Sequence, residues 1–253
     1  MKKTILISLA ILATLSLVAF TLINENVADI SKTANIKASE ENKKEKENNR
    51  FSDFIYDIGT RFRPIKKSDV IHATSIKNFV DEHEMGEIES VKSVEFIILE
   101  KDERTDKRAS GNSASLNKTQ VNFLNAFDYS TSFLMKINYK DKISTPHYTI
   151  VPEVQAEYIY GKDALVKYFI SNTKEATAKI PEDKLKPAKL YFTVTKKGTI
   201  DGVYLDRSSG YPEIDNLVTR LISETPGGWI PATNSEGKTV DQELVVSFGL
   251  IGC

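Results

Sequence analysis

The C-terminal part of the chain alternates between the two hydrophobic periods of regular structure. Leu190, Phe192 and Val194 alternate with polar neighbours, which predicts a strand with one buried face. The turn at residues 196–198 ends in glycine and predicts a hairpin. The next apolar positions, Ile200, Val203 and Leu205, slip by one residue, and a bulge at Gly202 accounts for the slip.

Helical spacing surrounds this hairpin. Gly161 precedes an amphipathic segment, and Pro212 stands where the first turn of a helix accepts proline. An apolar stripe at i, i+3, i+4, i+7 and i+8 follows it and must face a core: Ile214, Leu217, Val218, Leu221 and Ile222. The alternation of residues 240–250 then predicts a long final strand. Residues 151–253 are therefore predicted to be a small α+β domain with the order helix, strand, strand, helix, strand and an antiparallel sheet.

Residues 51–150 are predicted to be a second small α+β region. Residues 51–63 carry apolar side chains at helical spacing and predict a short amphipathic helix. Short helices near Thr74 and Val121 and strands at 91–99 and 133–139 follow from the same patterns, and the polar run 101–115 predicts a long turn or a poor strand. Because this order repeats that of residues 151–253, one interpretation is a degenerate second copy; the other is an unrelated α+β region.

The N-terminal residues 1–23 contain a short basic start and an uncharged apolar run, residues 4–23. A run of this length predicts an apolar helix that just spans a bilayer, and it also fits a secretory signal peptide. Both alternatives, a retained membrane anchor and a cleaved signal, place the protein in the cell envelope. Residues 24–50 are rich in Glu, Lys and Asn and predict a solvated, charged tether.

Charge and composition exclude several classes of function. With 34 basic and 35 acidic residues, the net charge of −1 gives no basic surface for nucleic acid. The single cysteine, Cys253, forms no redox or metal motif. His72, His83 and His147 lack ligand spacing, and His83-Glu84 is not followed by the second histidine of a zinc-protease motif. No nucleophile motif or phosphate loop occurs. The sequence predicts a non-enzymatic protein without cofactor or metal.

Five segments of the C-terminal region resemble the C-terminal domain of TonB over residues 152–250. They are the hairpin of 189–198 and 199–210, the helix entry 208–212 with Asp215, the Trp-x-Pro-Ala link 229–232, and Gly237-Lys238. The resemblance implies a TonB-like fold and a periplasm-facing binding module that takes up an extended peptide of an envelope protein, such as a TonB-dependent outer-membrane receptor, in transmembrane transport. Strand addition of this kind uses main-chain hydrogen bonds for affinity and side-chain pockets for selectivity.

The partner-binding residues that this resemblance implies belong to the final strand, with one aromatic residue nearby: Leu244, Val245, Val246, Ser247, Phe248 and Trp229. Two alternatives stay open. The final strand could instead complete the sheet, and Trp229, between two chain breakers, could pin the link to the core.

A second hypothesis is a structural or regulatory periplasmic interaction protein that is not coupled to energised transport. The apolar segment contains no histidine of the kind that TonB anchors use in coupling to the proton-driven motor. The tether, with a mean span of about 28 Å as a flexible chain, is too short to cross a periplasm.

Overall fold

The computed structural model describes residues 54–81, 86, 88–180 and 186–250, with only the backbone of Phe54, Ile55 and Leu250. The predicted N-terminal segment and tether, His83 and Cys253 lie outside these residues. Within the described part, no helix is long and apolar enough to cross a membrane. The fold is α+β, built from two larger sheets, as the sequence predicted for its class.

The first sheet has six strands and is mixed. Its elements are β2 (Arg63–Lys66), α1 (Lys67–Ile71), β3 (Ser93–Glu100), β4 (Glu103–Gly111), α2 (Lys118–Asn125), β5 (Ser132–Asn138), β6 (Ile143–Ser144) and β7 (His147–Val151), with single 3-10 turns at Ile76–Asn78 and Ile88–Ser90. The strand order is β2-β7-β5-β3-β4, with β6 paired to β5. Only the β2–β7 pair is parallel. The predicted poor strand at 101–115 is the full strand β4.

One face of this sheet carries its core. Phe96 and Phe133 lie fully buried in this core and pack against Phe79, which follows the first 3-10 turn. Helix α2 begins with a capping box in which Asn117 and Gln120 bond reciprocally. The opposite face carries a small second cluster of Ile97, Leu99 and Leu134, against which Phe62 packs.

The second sheet has four antiparallel strands in the order β1-β14-β9-β10. Its elements are β1 (Phe54–Gly59), α3 (Lys162–Thr177), β9 (Ala188–Val194), β10 (Ile200–Arg207), α4 (Pro212–Ser223) and β14 (Gln242–Leu250). Short ribbons join β8 (Glu157–Tyr158) to β11 (Trp229–Ile230) and β12 (Ala232–Thr233) to β13 (Thr239–Val240). The predicted order of helix, strand, strand, helix, strand is confirmed.

Local details of the predicted hairpin are also confirmed. Gly198 has a φ of 75°, as its turn requires, and the register slips between Asp201 and Tyr204 around Gly202, whose φ is 60°. Helix α4 begins at Pro212 and buries four members of its apolar stripe, while Leu217 is partly buried. Helices α3 and α4 cover one face of the sheet and form the second core with it.

The prediction of a helix at residues 51–63 was wrong, because the described part of this segment forms β1 and the extended turn into β2. Tyr56 and Ile58 point to the core and Asp57 points away, which is the period of a strand. Phe54, Ile55, Ile58 and Phe62 fit helical spacing, whereas Phe54, Tyr56 and Ile58 fit a strand, and pairing with β14, nearly two hundred residues further on, decides between them.

Candidate functional site

The predicted partner-binding strand β14 lies inside its sheet. It pairs with β9 from Gln242↔Val194 to Phe248↔Ala188 and with β1 from Gly59↔Val245 to Phe54↔Leu250. Both of its edges therefore carry a neighbouring strand, which agrees with the alternative that the final strand completes the sheet. An additional strand could pair with β14 only in the place of β1 or β9.

The side chains of β14 are divided between two buried surfaces. Leu244, Val246 and Phe248 lie in the core beneath the helices, with at most 3% of each exposed. Val245 and Ser247 lie on the other face, where Val245 is 4% exposed and Ser247 is partly buried. The predicted site residues of this strand therefore lie next to one another in the interior of the sheet. They do not together line an open groove.

Strand β1 is held on β14 by its side chains as well as by its backbone. Tyr56 stacks on Phe169 of α3, with ring centroids 5.1 Å apart, and its hydroxyl donates a hydrogen bond to Thr173 Oγ1 at 2.7 Å. Ile58 is 7% exposed in the same core. On the exposed side, Lys162 Nζ lies 2.7 Å from Asp57 Oδ1. Sequence analysis missed this strand, although Tyr56, Asp57 and Ile58 show the alternation that could have identified it.

Trp229 packs in the core and does not belong to an exposed surface. Its ring centroid lies 5.3 Å from that of Phe192 and 5.6 Å from that of Tyr158. Its backbone N–H donates to Gly198 O at 3.2 Å and so fixes the link against the hairpin turn. The indole Nε1 is buried and has no hydrogen-bond acceptor among the described residues. A buried donor of this kind costs free energy unless something accepts its hydrogen bond.

A cavity of about 330 Å³ adjoins Trp229 at the end of β1. Ile58 and Gly59 of β1, Leu244 of β14 and Lys162 at the start of α3 also line it. The walls are mostly apolar, and their polar residues include Gln155, Glu157 and Lys162. This lining suits an apolar side chain.

A charged cluster joins the two sheets on the side of the second sheet that carries no helices. Asp102, at the β3–β4 turn, accepts a hydrogen bond from Arg61 Nε at 2.8 Å and lies 3.7 Å from Lys189 Nζ and 3.5 Å from Arg207 Nη2. The Arg61 guanidinium lies over the ring of Tyr191, 5.3 Å from its centroid. The cluster connects the turn of the first sheet to β9 and β10 of the second.

The ionisation of Asp102 follows from this geometry. Partial burial by itself would raise its pKa, but the hydrogen bond and charge of Arg61, with the charges of Lys189 and Arg207, lower the pKa below the ordinary carboxyl value. Glu243 of β14 behaves in the opposite way, because burial raises its pKa more than Arg61 lowers it.

The two described histidines, His72 and His147, have different surroundings. His72 is exposed with its Nδ1 2.7 Å from Ser68 O, and His147 packs on the ring of Phe62. Across residues 54–81, 86, 88–180 and 186–250, no three His, Cys, Asp or Glu side chains are grouped as a metal site.

Comparison with known proteins returns no match to this chain from any family model, curated protein or solved structure.

Proposed function

We propose that this protein is a non-enzymatic, protein-binding module of the cell envelope that takes up an extended peptide by strand addition at β14. The observation that carries the proposal is the pairing of β1. An extended segment of six residues, distant in sequence, lies antiparallel on the edge of β14. This pairing supports the proposal, because an extended segment already adds to the sheet at this edge.

The likeness of residues 152–250 to TonB C-terminal domains supports the same function. The order of elements from α3 to β14 agrees with the order expected from that resemblance. The apolar residues 4–23 support a location in the cell envelope, facing the periplasm, with the N-terminal segment as an inner-membrane anchor or an export signal. The proposed partner is an extended segment of an envelope protein, such as a TonB-dependent receptor.

In this proposal β1 occupies the edge until a partner takes its place. An exchange keeps the N–H and C=O groups of β14 paired in both states, so its free energy depends on side-chain contacts. Tyr56 and Ile58 supply those contacts in cis. Because β1 is attached to the domain, it competes with a partner at a high effective concentration. Such competition would restrict capture to segments that fit the core well.

The alternative function is a structural or regulatory periplasmic interaction protein that is not coupled to energised transport. The burial of Tyr56 and Ile58 favours it, because these contacts are typical of a permanent fourth strand. In this case the sheet is complete, and a partner binds to another surface.

A reversible disulfide across β1 and β14 distinguishes the two. Asp57 and Ser247 are register partners on the face away from the helices, so Asp57→Cys and Ser247→Cys, with Cys253→Ser, would lock β1 when oxidised. Both forms of this one protein are crosslinked in envelope membranes. Strand addition requires capture of a partner by the reduced form and its loss in the oxidised form. Equal capture by both forms would support the alternative.

A further inference from the structure

We infer that β1 is an internal copy of the ligand, and that the captured segment has the pattern aromatic, acidic, aliphatic at the register of Tyr56, Asp57 and Ile58. The inference rests on the proposed function and specifies its partner. An occupant of β14 must satisfy the surroundings that β1 now satisfies. The contacts of β1 therefore describe the sequence that the site recognises.

The first position requires an aromatic ring with a hydroxyl group. Tyr56 lies between Phe169, with ring centroids 5.1 Å apart, and Phe248, with centroids 6.3 Å apart, and both ring pairs are stacked. Its hydroxyl reaches Thr173 Oγ1 at the far end of this slot. A smaller side chain would leave a cavity between two rings, and phenylalanine would lose the hydrogen bond.

The third position requires an aliphatic side chain. Ile58 faces Val246 across the pair of strands and lies in the core with Leu244. A polar side chain here would be buried without a hydrogen-bond partner provided by the site. The first and third positions, on the same face of the strand, supply the affinity.

The second position requires an acid. Asp57 Oδ1 and Lys162 Nζ are 2.7 Å apart, and both side chains are more than half exposed. An exposed ion pair contributes little to affinity, but a cation in this position repels Lys162. The acid therefore serves selectivity and register more than strength.

The next residue is glycine in β1 but has room for a side chain. A Cβ added to Gly59 would meet no atom within 4 Å, and Gly59 lines the cavity of about 330 Å³ that Trp229 also lines. An apolar side chain at this position would bury surface that β1 itself does not bury.

The test uses fluorescent peptides with the sequence of residues 54–61 and full-length protein whose own β1 is weakened by Tyr56→Ala. Ile58→Ala, a smaller truncation in the same edge strand, is the second opened variant if Tyr56→Ala does not fold. Affinity is measured by fluorescence anisotropy, with a scrambled peptide as control. The native peptide should bind, and a Tyr56→Ala peptide should bind at least about a hundredfold more weakly.

Substitutions in the peptide test the positions of Asp57 and Gly59. An Asp57→Lys peptide should bind about fivefold more weakly, and Lys162→Glu in the protein should restore its affinity. A Gly59→Leu peptide should bind about fivefold more tightly than the native peptide, because leucine would bury apolar surface in the cavity that Gly59 lines.

The results separate this inference from the proposed function. Equal affinities of the native and Tyr56→Ala peptides, together with partner capture that the disulfide lock still blocks, would overturn the pattern and leave strand addition in place. Capture that ignores the lock would overturn strand addition itself, whatever the peptides do. Absence of a rescue by Lys162→Glu would remove the acid from the recognised pattern.

Discussion

Tyr56 Oη donates a hydrogen bond to Thr173 Oγ1 at 2.7 Å, although the two residues are 117 positions apart in the chain. The same Thr173 hydroxyl donates to Phe169 O at 2.8 Å within its helix. The bond therefore fastens the edge strand β1 to the middle of α3. When β1 leaves, Thr173 keeps its helical acceptor, so departure costs the site one hydrogen bond and leaves no new unpaired donor there.

Tyr56→Phe should remove this one bond and keep the stacked ring. We expect the free energy of unfolding to fall by about 1 kcal/mol at neutral pH, as for a typical buried hydrogen bond. Tyr204→Phe is the matched control, because Tyr204 is partly exposed and its hydroxyl lies at a long 3.4 Å from Glu243. Its effect should stay within about 0.5 kcal/mol. Urea unfolding measures both, and equal effects would contradict the role given to the Thr173 bond.

The same variant should also change the response to alkali. Burial raises the pKa of Tyr56, against the smaller lowering by its bond to Thr173. A raised folded-state pKa means that stability is fully present below the ordinary tyrosine pKa of about 10 and is lost as pH rises through the folded-state value. Because Tyr56→Phe lacks this titration, the stability gap between the two proteins should narrow above about pH 10.

Asp102→Asn should weaken the link between the two sheets. The lowered pKa of Asp102 means that its contribution is present above the ordinary carboxyl pKa and is lost as pH falls through the folded-state value. We expect a loss of about 1–2 kcal/mol at neutral pH, between the values for exposed and buried ion pairs. In acid the wild-type carboxylate is protonated, so the difference should shrink.

Asp106→Asn is the control for this prediction, since Asp106 is a fully exposed carboxylate on β4 whose ion-pair distance to Arg108 is 3.4 Å. It should leave stability unchanged. Thermal unfolding from neutral to acidic pH gives both comparisons. A difference for Asp102→Asn that persists undiminished in acid would show that the carboxylate charge is not responsible.

Gly198→Ala should be far more damaging than Gly237→Ala. Both glycines have a φ of 75°, so alanine carries a similar backbone strain at each, about 1–2 kcal/mol. At Gly198 an added Cβ would also lie 2.3 Å from the carbonyl oxygen of Trp229, whereas at Gly237 it would meet nothing within 4 Å. We expect about 3 kcal/mol or more at Gly198, measured by chemical unfolding. Similar losses at the two sites would mean that the link at Trp229 moves freely away from the turn.

Local sequence patterns predicted most of the strands and helices of residues 151–253. Pro212 with the stripe after it specified α4, and the slip after Ile200 specified the bulge, because these signals lie within a few residues of one another. For β1 the local signal was weak, because the alternation of Tyr56, Asp57 and Ile58 is short and the segment 51–63 also has helical spacing. Its partner strand, β14, lies at the other end of the described chain.

The strands that neighbour β14 could not be predicted from the sequence either, although the first sheet has the same strand order. There the hairpin β3–β4 is followed by α2 and β5, and β5 pairs with β3 on one side and β7 on the other. The hairpin β9–β10, α4 and β14 repeat that order, with β1 in the position of β7. The repeated order agrees with the interpretation of residues 51–150 as a degenerate copy. In each sheet the strand that follows the hairpin and its helix, β5 or β14, pairs along its other edge with a segment from outside the repeated unit. The order of elements in the sequence does not indicate which segment this is.

Proline substitutions in β14 distinguish an exchangeable β1 from a permanent one. Proline has no N–H and resists pairing in the interior of a sheet. Along β14 the N–H groups of Leu244 and Val246 point to one neighbouring strand, and those of Val245 and Ser247 point to the other. Proline facing β9 breaks the centre of the sheet, at a cost of about 3 kcal/mol or more, and should unfold the domain.

Proline facing β1 removes a bond only to the edge strand. We expect that variant to stay folded by circular dichroism, to lose hydrogen-exchange protection at residues 54–59, and to lose partner capture, since the partner needs the same N–H. If both sets unfold the domain equally, β1 is an integral strand of the core, and the alternative function with a partner on another surface is favoured.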